Sequence, residues 1–267
     1  MSKQIFLLGP DTPEMREIAR VAERAEHMVQ YATHRGQRVH PGNANESDAL
    51  ADVKEGDVLV CVACRPRVTP KKLTVVYIDH TQSKGSRRKP SNFWDASSVG
   101  QVYTRLSLRP SQEVKVLAAM SYCFNAALQG ECSGISRQEV LDCKIREIAA
   151  THGVSAREVQ VRIQECAQRL KTCQSPVGLG VIDARKCYLG EGYSLDLLCM
   201  QVAVSLTGKA ALLRHRDRRG EPEKVSLTGN VSSELIRLFV KEWAPGEGLK
   251  RVYSDLERGY AGGYMIK

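Results

Sequence analysis

The chain has 267 residues, of which 42% are hydrophobic and 26% are charged, and its net charge is +9 at pH 7. These values are typical of a globular protein with one large or two ordinary domains. Runs of 18 or more apolar residues do not occur, so we expect no membrane-spanning helix. The apolar run near the N-terminus is too short for a signal peptide, so we expect no secretory leader. We therefore expect a cytoplasmic protein with no membrane partner.

The first third of the chain predicts a parallel sheet. Four short apolar runs, "QIFLLG", "HMVQYA", "DVLVCVA" and "LTVVYID", are typical of buried strands. A helix is predicted over residues 13–27 because Met15, Ile18, Ala19 and Ala22 recur on one face. Continuous apolar strands that alternate with helices favour an α/β fold, with a parallel sheet covered by helices.

Helical patterns dominate the middle of the chain, over residues 95–106, 112–128, 136–151 and 155–172. Ser136 with Glu139, and Ser155 with Glu158, have the spacing of a capping box. The stretch "TCQSPVG" at 172–178 reads as a linker. We expect a first domain over residues 1–173 and a second over 174–267.

The second domain is predicted to be a smaller α+β unit with a mixed sheet. Its elements follow the order β-α-β-β-α-β: the strand "VGLGVIDA", a helix that ends at Gly208, the strands "KAALLRH" and "EKVSLTG", the helix "SSELIRLFVKEWA" and the strand "GGYMIK". A ligand-binding cleft is expected between the two domains.

Positive charge concentrates in residues 65–89, which carry +7 from eight basic residues and Asp79. Such a segment attracts phosphates and polyanions, so a nucleotide or a short nucleic acid is the expected ligand. Base stacking on aromatic side chains is not predicted. Aromatic residues are 6% of the chain, and no strand alternates aromatic with basic residues.

Polar residues follow three of the predicted strands. These are Asp11 after the first strand, His40 after the second, and Asp79 with His80 after the fourth. In parallel α/β sheets, ligands bind beyond the carboxyl ends of the strands. Carboxylates and imidazoles suit Mn²⁺ or another divalent cation such as Mg²⁺, so a divalent metal is the expected cofactor of an active enzyme.

Nine cysteines are scattered through the chain, and Cys61 with Cys64 form a CxxC. A second CxxC does not follow at zinc-site spacing, so we interpret the pair as small apolar residues at a strand end rather than as a zinc or redox site.

"VVYIDHTQ" followed by "ASSVGQVY" resembles the third motif region of the DHH phosphoesterase superfamily, which includes RecJ-like exonucleases and nano-RNases. The segment "EKVSLTG…SSELIRLFVKEWA…ERGYAGGYMI" is similar to the C-terminal domain associated with that superfamily. The resemblance implies Asp79 and His80 as catalytic residues, and Asp11, His40, Asp79 and His80 as metal ligands. It also implies phosphate and substrate contacts at Arg87, Arg88, Lys89, Ser97, Ser98, Lys224, Arg258, Gly259, Gly262 and Gly263.

The chain also departs from that pattern. The strand "DVLVCVA" ends at Ala63-Cys64-Arg65, where the superfamily has an aspartate, and Thr81 stands where the second His of Asp-His-His is expected. The Gly-rich segment "RGYAGGY" has tyrosines where a His is expected. Two hypotheses therefore stand. One is a metal-dependent phosphodiesterase acting on short oligonucleotides, dinucleotides or related phosphorylated small molecules. The other is a catalytically inactive relative that binds nucleotide, nucleic acid or a protein partner, with a homodimer as a further alternative.

Overall fold

The computed structural model describes residues 4–40, 43–48, 56–68, 73–79, 89–173, 179–187, 189–191, 194–216, 220–256 and 259–266. The chain divides into two compact units. One comprises Met1–Ala127 with Glu131–Val140, and the other comprises Leu128–Gly130 with Leu141–Lys267. The predicted boundary at residues 173 and 174 lies inside the second unit, and it stays a prediction of where a substrate-binding part begins.

The first unit is built on a parallel sheet. Its strands are β1 (Gln4–Leu8), β2 (Met28–Tyr31), β3 (Thr33–His34), β4 (Gln37–Arg38), β5 (Val58–Val62) and β6 (Thr74–Ile78). The order in the sheet is β2-β1-β5-β6, and all neighbours in it are parallel. The core residues of β1 and β5 are almost fully buried, as continuous apolar runs require when both faces of a strand are covered. The four predicted strands are confirmed.

A small hairpin of β3 and β4 was not predicted. Arg35 and Gly36 both have positive φ angles, 53° and 75°, as a two-residue type I′ turn requires. The flanking strands are only two residues long, so they carry no alternating pattern that a sequence could reveal. The hairpin matters because it brings Arg38 back towards the end of β1.

Five helices begin in the first unit: α1 (Pro13–Arg24), α2 (Phe93–Ala96), α3 (Ser98–Arg105), α4 (Gln112–Leu128) and α5 (Arg137–His152). The helix predicted over 95–106 is interrupted at Ser97, whose backbone is extended and whose Oγ caps α3 by accepting from the Gly100 N–H. Short 3₁₀ turns lie at Ala44–Glu46 and Pro90–Asn92. Helix α4 breaks at Cys123, which has φ −146° and ψ 54°.

The second unit contains α6 (Ala156–Lys171), α7 (Leu195–Thr207), α8 (Ser233–Leu238), a π-helical turn at Phe239–Trp243, and α9 (Ala244–Gly246). Its strands are β7 (Ile182–Asp183), β8 (Ala210–His215), β9 (Glu223–Gly229), β10 (Lys250–Asp255) and β11 (Tyr260–Met265). They form a mixed sheet in the order β10-β11-β9-β8-β7, and one apolar cluster joins its inner face to α8 and the π-turn. The predicted fold class, a parallel α/β sheet plus a smaller mixed α+β sheet, is confirmed.

Strand β10 was missed by the sequence analysis. Its segment "KRVYSD" is charged at both ends, and most of its side chains are exposed or half-buried because it lies at the edge of the sheet. Edge strands often carry charged residues, which weakens their apolar signal. Among the described helices, none combines the length and the apolar character that crossing a bilayer demands.

Candidate functional site

The strand ends β1, β5 and β6 meet at the carboxyl edge of the parallel sheet. Gly9, just after β1, donates its N–H to the carbonyl of Val62 at 2.9 Å. A Cβ at Gly9 would lie 2.4 Å from the carbonyl oxygen of Ala63, so only glycine permits this approach. The tight packing of these chain segments brings Asp11, Cys64 and Asp79 to one edge, as the sequence analysis expected for Asp11 and Asp79.

The Asp11 carboxylate is held by arginines. Nε and Nη2 of Arg16 each donate to one of its oxygens at 2.9 Å, and Nη1 of Arg38 lies 3.5 Å from Oδ1. The hydrogen bonds and charge of Arg16, with the charge of Arg38, hold the pKa of Asp11 below its ordinary value despite partial burial. Two guanidinium groups therefore already compensate the carboxylate that was predicted to bind a metal.

Arg38 links the hairpin to this edge. Its Nε donates to the carbonyl of Gly9 at 3.2 Å, and its guanidinium carbon lies 4.2 Å from the centre of the Tyr31 ring. Nη2 of Arg38 is buried and has no hydrogen-bond partner among the described residues. Sequence analysis missed this residue because the hairpin that positions it leaves almost no sequence signal.

Asp79 follows β6 directly and is half-buried. Its charge contributes to raising the pKa values of both Glu14 and Cys64. His80, Arg87 and Arg88 lie outside the described residues. Lys89 is exposed where the described chain resumes, just before the 3₁₀ turn at Pro90–Asn92.

Glu14 is the principal residue of this edge that the sequence analysis missed. It lies in the first turn of α1, only 3% exposed, and its Oε1 accepts a hydrogen bond from the backbone N–H of Val99 at 3.0 Å. Burial raises its pKa to about 7, the backbone amides of Val99 and Ser98 partly oppose that rise, and the charge of Asp79 adds to it. A buried carboxylate with a raised pKa is a common feature of functional sites, and also of structural hydrogen-bond networks.

The start of α3 was predicted to bind phosphate through Ser97 and Ser98. Both residues are fully buried. Ser97 Oγ accepts from the Gly100 N–H at 3.1 Å and donates to the carbonyl of Trp94 at 3.0 Å. Free amides at a helix N-terminus attract anions, and here the Glu14 carboxylate occupies that position. The sequence predicted a phosphate at the start of α3, and in the structure the carboxylate of Glu14 accepts the hydrogen bond from that helix start.

The remaining predicted ligands of the first unit do not complete a metal site. The backbone N–H of His40, which is half-buried, donates to Asn43 Oδ1 at 2.8 Å. Within the described ranges, no three His, Cys, Asp or Glu side chains gather in a way that could hold a metal ion. The described donor set thus does not fit a divalent cation, and the predicted metal site depends on His80.

The CxxC cysteines belong to the apolar core, as interpreted from sequence. Cys61 and Cys64 are 1% and 3% exposed and pack with Ile5, Leu7 and Leu59. Cys64 Sγ donates to the carbonyl of Leu7 at 3.3 Å. Burial raises the pKa of Cys61 to about 12 and that of Cys64 further, so both remain protonated thiols near neutral pH.

At two of the predicted glycines of the second unit, the space that a Cβ would occupy is taken by other side chains of the protein. At Gly262, a Cβ would lie 2.4 Å from the hydroxyl of Tyr253. At Gly263, it would lie 3.0 Å from Leu249 Cβ, and Val252 also lies close. Gly259 has a φ of 69°, a backbone conformation that favours glycine. Arg258 lies outside the described residues.

A group of tyrosines and Lys224 lies on one face of the second sheet. The Tyr253 ring centre is 6.4 Å from that of Tyr260 and 6.2 Å from that of Tyr264, and Lys224 Nζ is 5.8 Å from the Tyr253 centre. These residues come from β9, β10 and β11, and Tyr260 remains 38% exposed. Sequence analysis found no aromatic–basic pattern along any one strand, because this grouping is assembled across three.

Comparisons with known proteins add a weak structural likeness. No protein-family model and no curated protein matches the chain. Among solved structures, it is similar to the pGpG-specific phosphodiesterase PggH from Vibrio cholerae, with a TM-score of 0.42 and 9% sequence identity over 99% of this chain and 94% of that one. Identity and superposition at this level are too low to assign an activity to the present chain.

Proposed function

We propose that this protein is a phosphodiesterase of the DHH type that acts on short oligonucleotides, dinucleotides or related phosphorylated small molecules. The observation that carries the proposal is the position of Asp79, at the carboxyl end of β6. Ligands of parallel α/β sheets bind at this edge. A half-buried carboxylate there can accept a proton from an attacking water, which is the task of a general base.

Positive charge around Asp79 suits a phosphodiester substrate. Arg38 and Arg65 lie at the same edge, and Arg65 is exposed, with its guanidinium carbon 4.8 Å from the centre of the Tyr77 ring. Lys89 is exposed where the described chain resumes. In the proposal, Arg87, Arg88 and Lys89 contact phosphate, and His80 assists Asp79.

The tyrosine group of the second unit supports a nucleotide as the substrate class. Tyrosine rings can stack on any base, and a lysine beside them can pair with a phosphate. Ser226 pairs with Gly262 across the strands of this sheet, and its Oγ has no hydrogen-bond partner among the described residues. In the proposal, Lys224, Arg258 and this face contact the nucleotide.

Hydrolysis of di- to pentanucleotides, measured with and without Mn²⁺ or Mg²⁺, tests the proposal. We expect turnover by the native protein and a loss of about 100-fold or more in kcat/KM for Asp79→Asn, which is the range for losing an acid–base group. Asp57→Asn is the matched control, because Asp57 precedes β5 at the opposite end of the same sheet. Equal rates in the native protein and Asp79→Asn would reject the proposed role of Asp79.

A second function, nucleotide binding without turnover, is favoured by a specific observation. Asp11 is held by two arginines, and the start of α3 is occupied by Glu14. Both positions were expected to serve a substrate or metal. Micromolar binding of a dinucleotide by calorimetry, with no product under any metal condition, would select this function over hydrolysis.

A further inference from the structure

The nine cysteines do not have equivalent surroundings. All are free thiols, and four of them, Cys61, Cys64, Cys166 and Cys199, are buried in the core, where burial raises their pKa values. Cys199 Sγ, for example, lies 3.9 Å from the carbonyl of Val159 in a buried contact. Such thiols react slowly, because the thiolate and not the thiol attacks an oxidant. Cys123 and Cys132 differ from these.

Cys123 and Cys132 face each other across a short loop. Their sulfur atoms lie 3.3 Å apart and share a hydrogen. Cys123 is half-buried, and Cys132 is 2% exposed. Sulfur atoms this close need to approach by little more than 1 Å to reach the length of a disulfide bond, about 2.05 Å.

The backbone around the pair is suited to that approach. At Cys123, φ and ψ leave the helical region and interrupt α4. On the other side, Gly130 and Gly134 flank Cys132 with φ angles of 81° and 74°, which glycine adopts without strain. Neither cysteine is therefore held in the middle of a regular element.

The two thiols can also stabilise each other's charged form. Either sulfur can donate the hydrogen that lies between them, so a thiolate on one of them accepts a hydrogen bond from the thiol of the other. The thiol that stabilises the thiolate is also the group that can react with it after oxidation, as an attacking and a resolving cysteine do.

We propose that Cys123 and Cys132 are an oxidisable dithiol site that reacts with hydrogen peroxide to form a reversible disulfide. In the first step, one of the two sulfurs attacks a peroxide oxygen as the thiolate, the O–O bond breaks, and hydroxide leaves and takes up the proton that the thiol released, so that a sulfenic acid forms. In the second step, the other sulfur attacks the sulfenic sulfur, the S–O bond breaks, and water leaves with the proton of the second thiol. The two thiols lose two electrons, and one peroxide becomes two waters.

Peptide mapping tests this site with an internal control. Trypsin releases residues 116–137 as one peptide, because no lysine or arginine lies between Lys115 and Arg137, and that peptide holds both cysteines. The next peptide, 138–144, holds Cys143 alone. The full-length protein is exposed to equimolar hydrogen peroxide at neutral pH, alkylated under denaturing conditions and then digested.

After peroxide, we expect peptide 116–137 to lose two hydrogens in mass and to carry no alkyl group, whereas Cys143 is alkylated in full. A thiol reductant added before alkylation should restore both alkylation sites. The Cys132→Ser variant should form no disulfide in this peptide, and Cys143→Ser should leave the disulfide unaffected. Full alkylation of Cys123 and Cys132 after peroxide, to the same extent as Cys143, would overturn the proposal.

Discussion

The carboxyl edge of the first sheet and the tyrosine face of the second sheet differ in how their predicted ligand positions are filled. At the first, charged groups meet charged or polar groups: Asp11 pairs with Arg16 and Arg38, and Glu14 accepts from backbone amides. At the second, a side chain takes up the free space: the Tyr253 hydroxyl lies where a Cβ of residue 262 would be.

The comparison shows that a short motif can be explained by the fold alone. A helix start with small residues and a pair of glycines are both common contacts for phosphates. In this chain each of them meets a side chain of the protein itself. We therefore expect the contribution of the first region to the free energy of unfolding to depend on charge and pH. The contribution of the second region should depend on packing.

The largest expected effect comes from Glu14→Gln. The pKa of Glu14 rises from 4.5 to about 7 on folding, so the folded state favours the protonated form. Its contribution to stability is complete below pH 4.5 and is lost as the pH rises through about 7, a change of about 3 kcal/mol. Denaturant unfolding from pH 4.5 to 8 should show this decline in the native protein and a flatter profile in Glu14→Gln.

Glu23→Gln is the control for that experiment. Glu23 lies on the same helix but is exposed, so its variant should keep the pH dependence of the native protein. Identical pH profiles for the native protein and Glu14→Gln would mean that Glu14 is not buried beside the α3 amides in solution.

Gly262→Ala probes the steric filling of the second region. The added methyl would lie 2.4 Å from the Tyr253 hydroxyl and 3.0 Å from the Val225 carbonyl, so we expect a loss of about 1–3 kcal/mol in unfolding free energy. In a Tyr253→Ala background, the cost of Gly262→Ala should fall by about 1 kcal/mol, because the two residues are in contact.

Gly246→Ala is the matched glycine control. A Cβ there meets no atom within 4 Å, so its unfolding free energy should stay unchanged or rise slightly. Additive costs for Gly262→Ala and Tyr253→Ala would indicate that the tyrosine ring does not lie over the glycine.

The smallest effect is expected from Asp11→Asn. Asp11 is 46% exposed in its side chain, and ion pairs of this kind contribute about 1 kcal/mol or less. The loss should diminish further in 1 M salt, where charges are screened. Unfolding in low and high salt measures it, with Glu23→Gln as the uncoupled control.

Adding Mn²⁺ to the native protein and to Asp11→Asn tests whether Asp11 is a metal ligand. If Asp11 stays with its arginines, Mn²⁺ should shift the thermal midpoints of the native protein and Asp11→Asn equally. A shift seen in the native protein and absent from Asp11→Asn would instead support the predicted role of Asp11 as a metal ligand.

Local patterns predicted most of the architecture. The four parallel strands, the caps at Ser136 and Ser155 and the helix end at Gly208 depend on residues close in sequence, and each is confirmed. The β3–β4 hairpin and β10 were missed because two-residue strands and a charged edge strand carry little periodic signal.

The candidate site was predicted less completely. Asp11 and Asp79 were correctly placed after their strands, but Glu14 was passed over because one acidic residue in a first helical turn is common. Its importance depends on burial and on amides that no local pattern reveals. The tyrosine group was missed for a related reason, since its members are neighbours only across strands.

By itself, the sequence determined which segments become strands and helices, and which polar residues follow them, because backbone preference and apolar period act over a few residues. Only the tertiary structure decided which partner each polar group meets. Glu14 bonds to an amide 85 positions away, and Asp11 meets Arg38 through a hairpin. Such pairings depend on the distances between elements after folding, and these distances determine whether a carboxylate faces a ligand or the protein's own backbone.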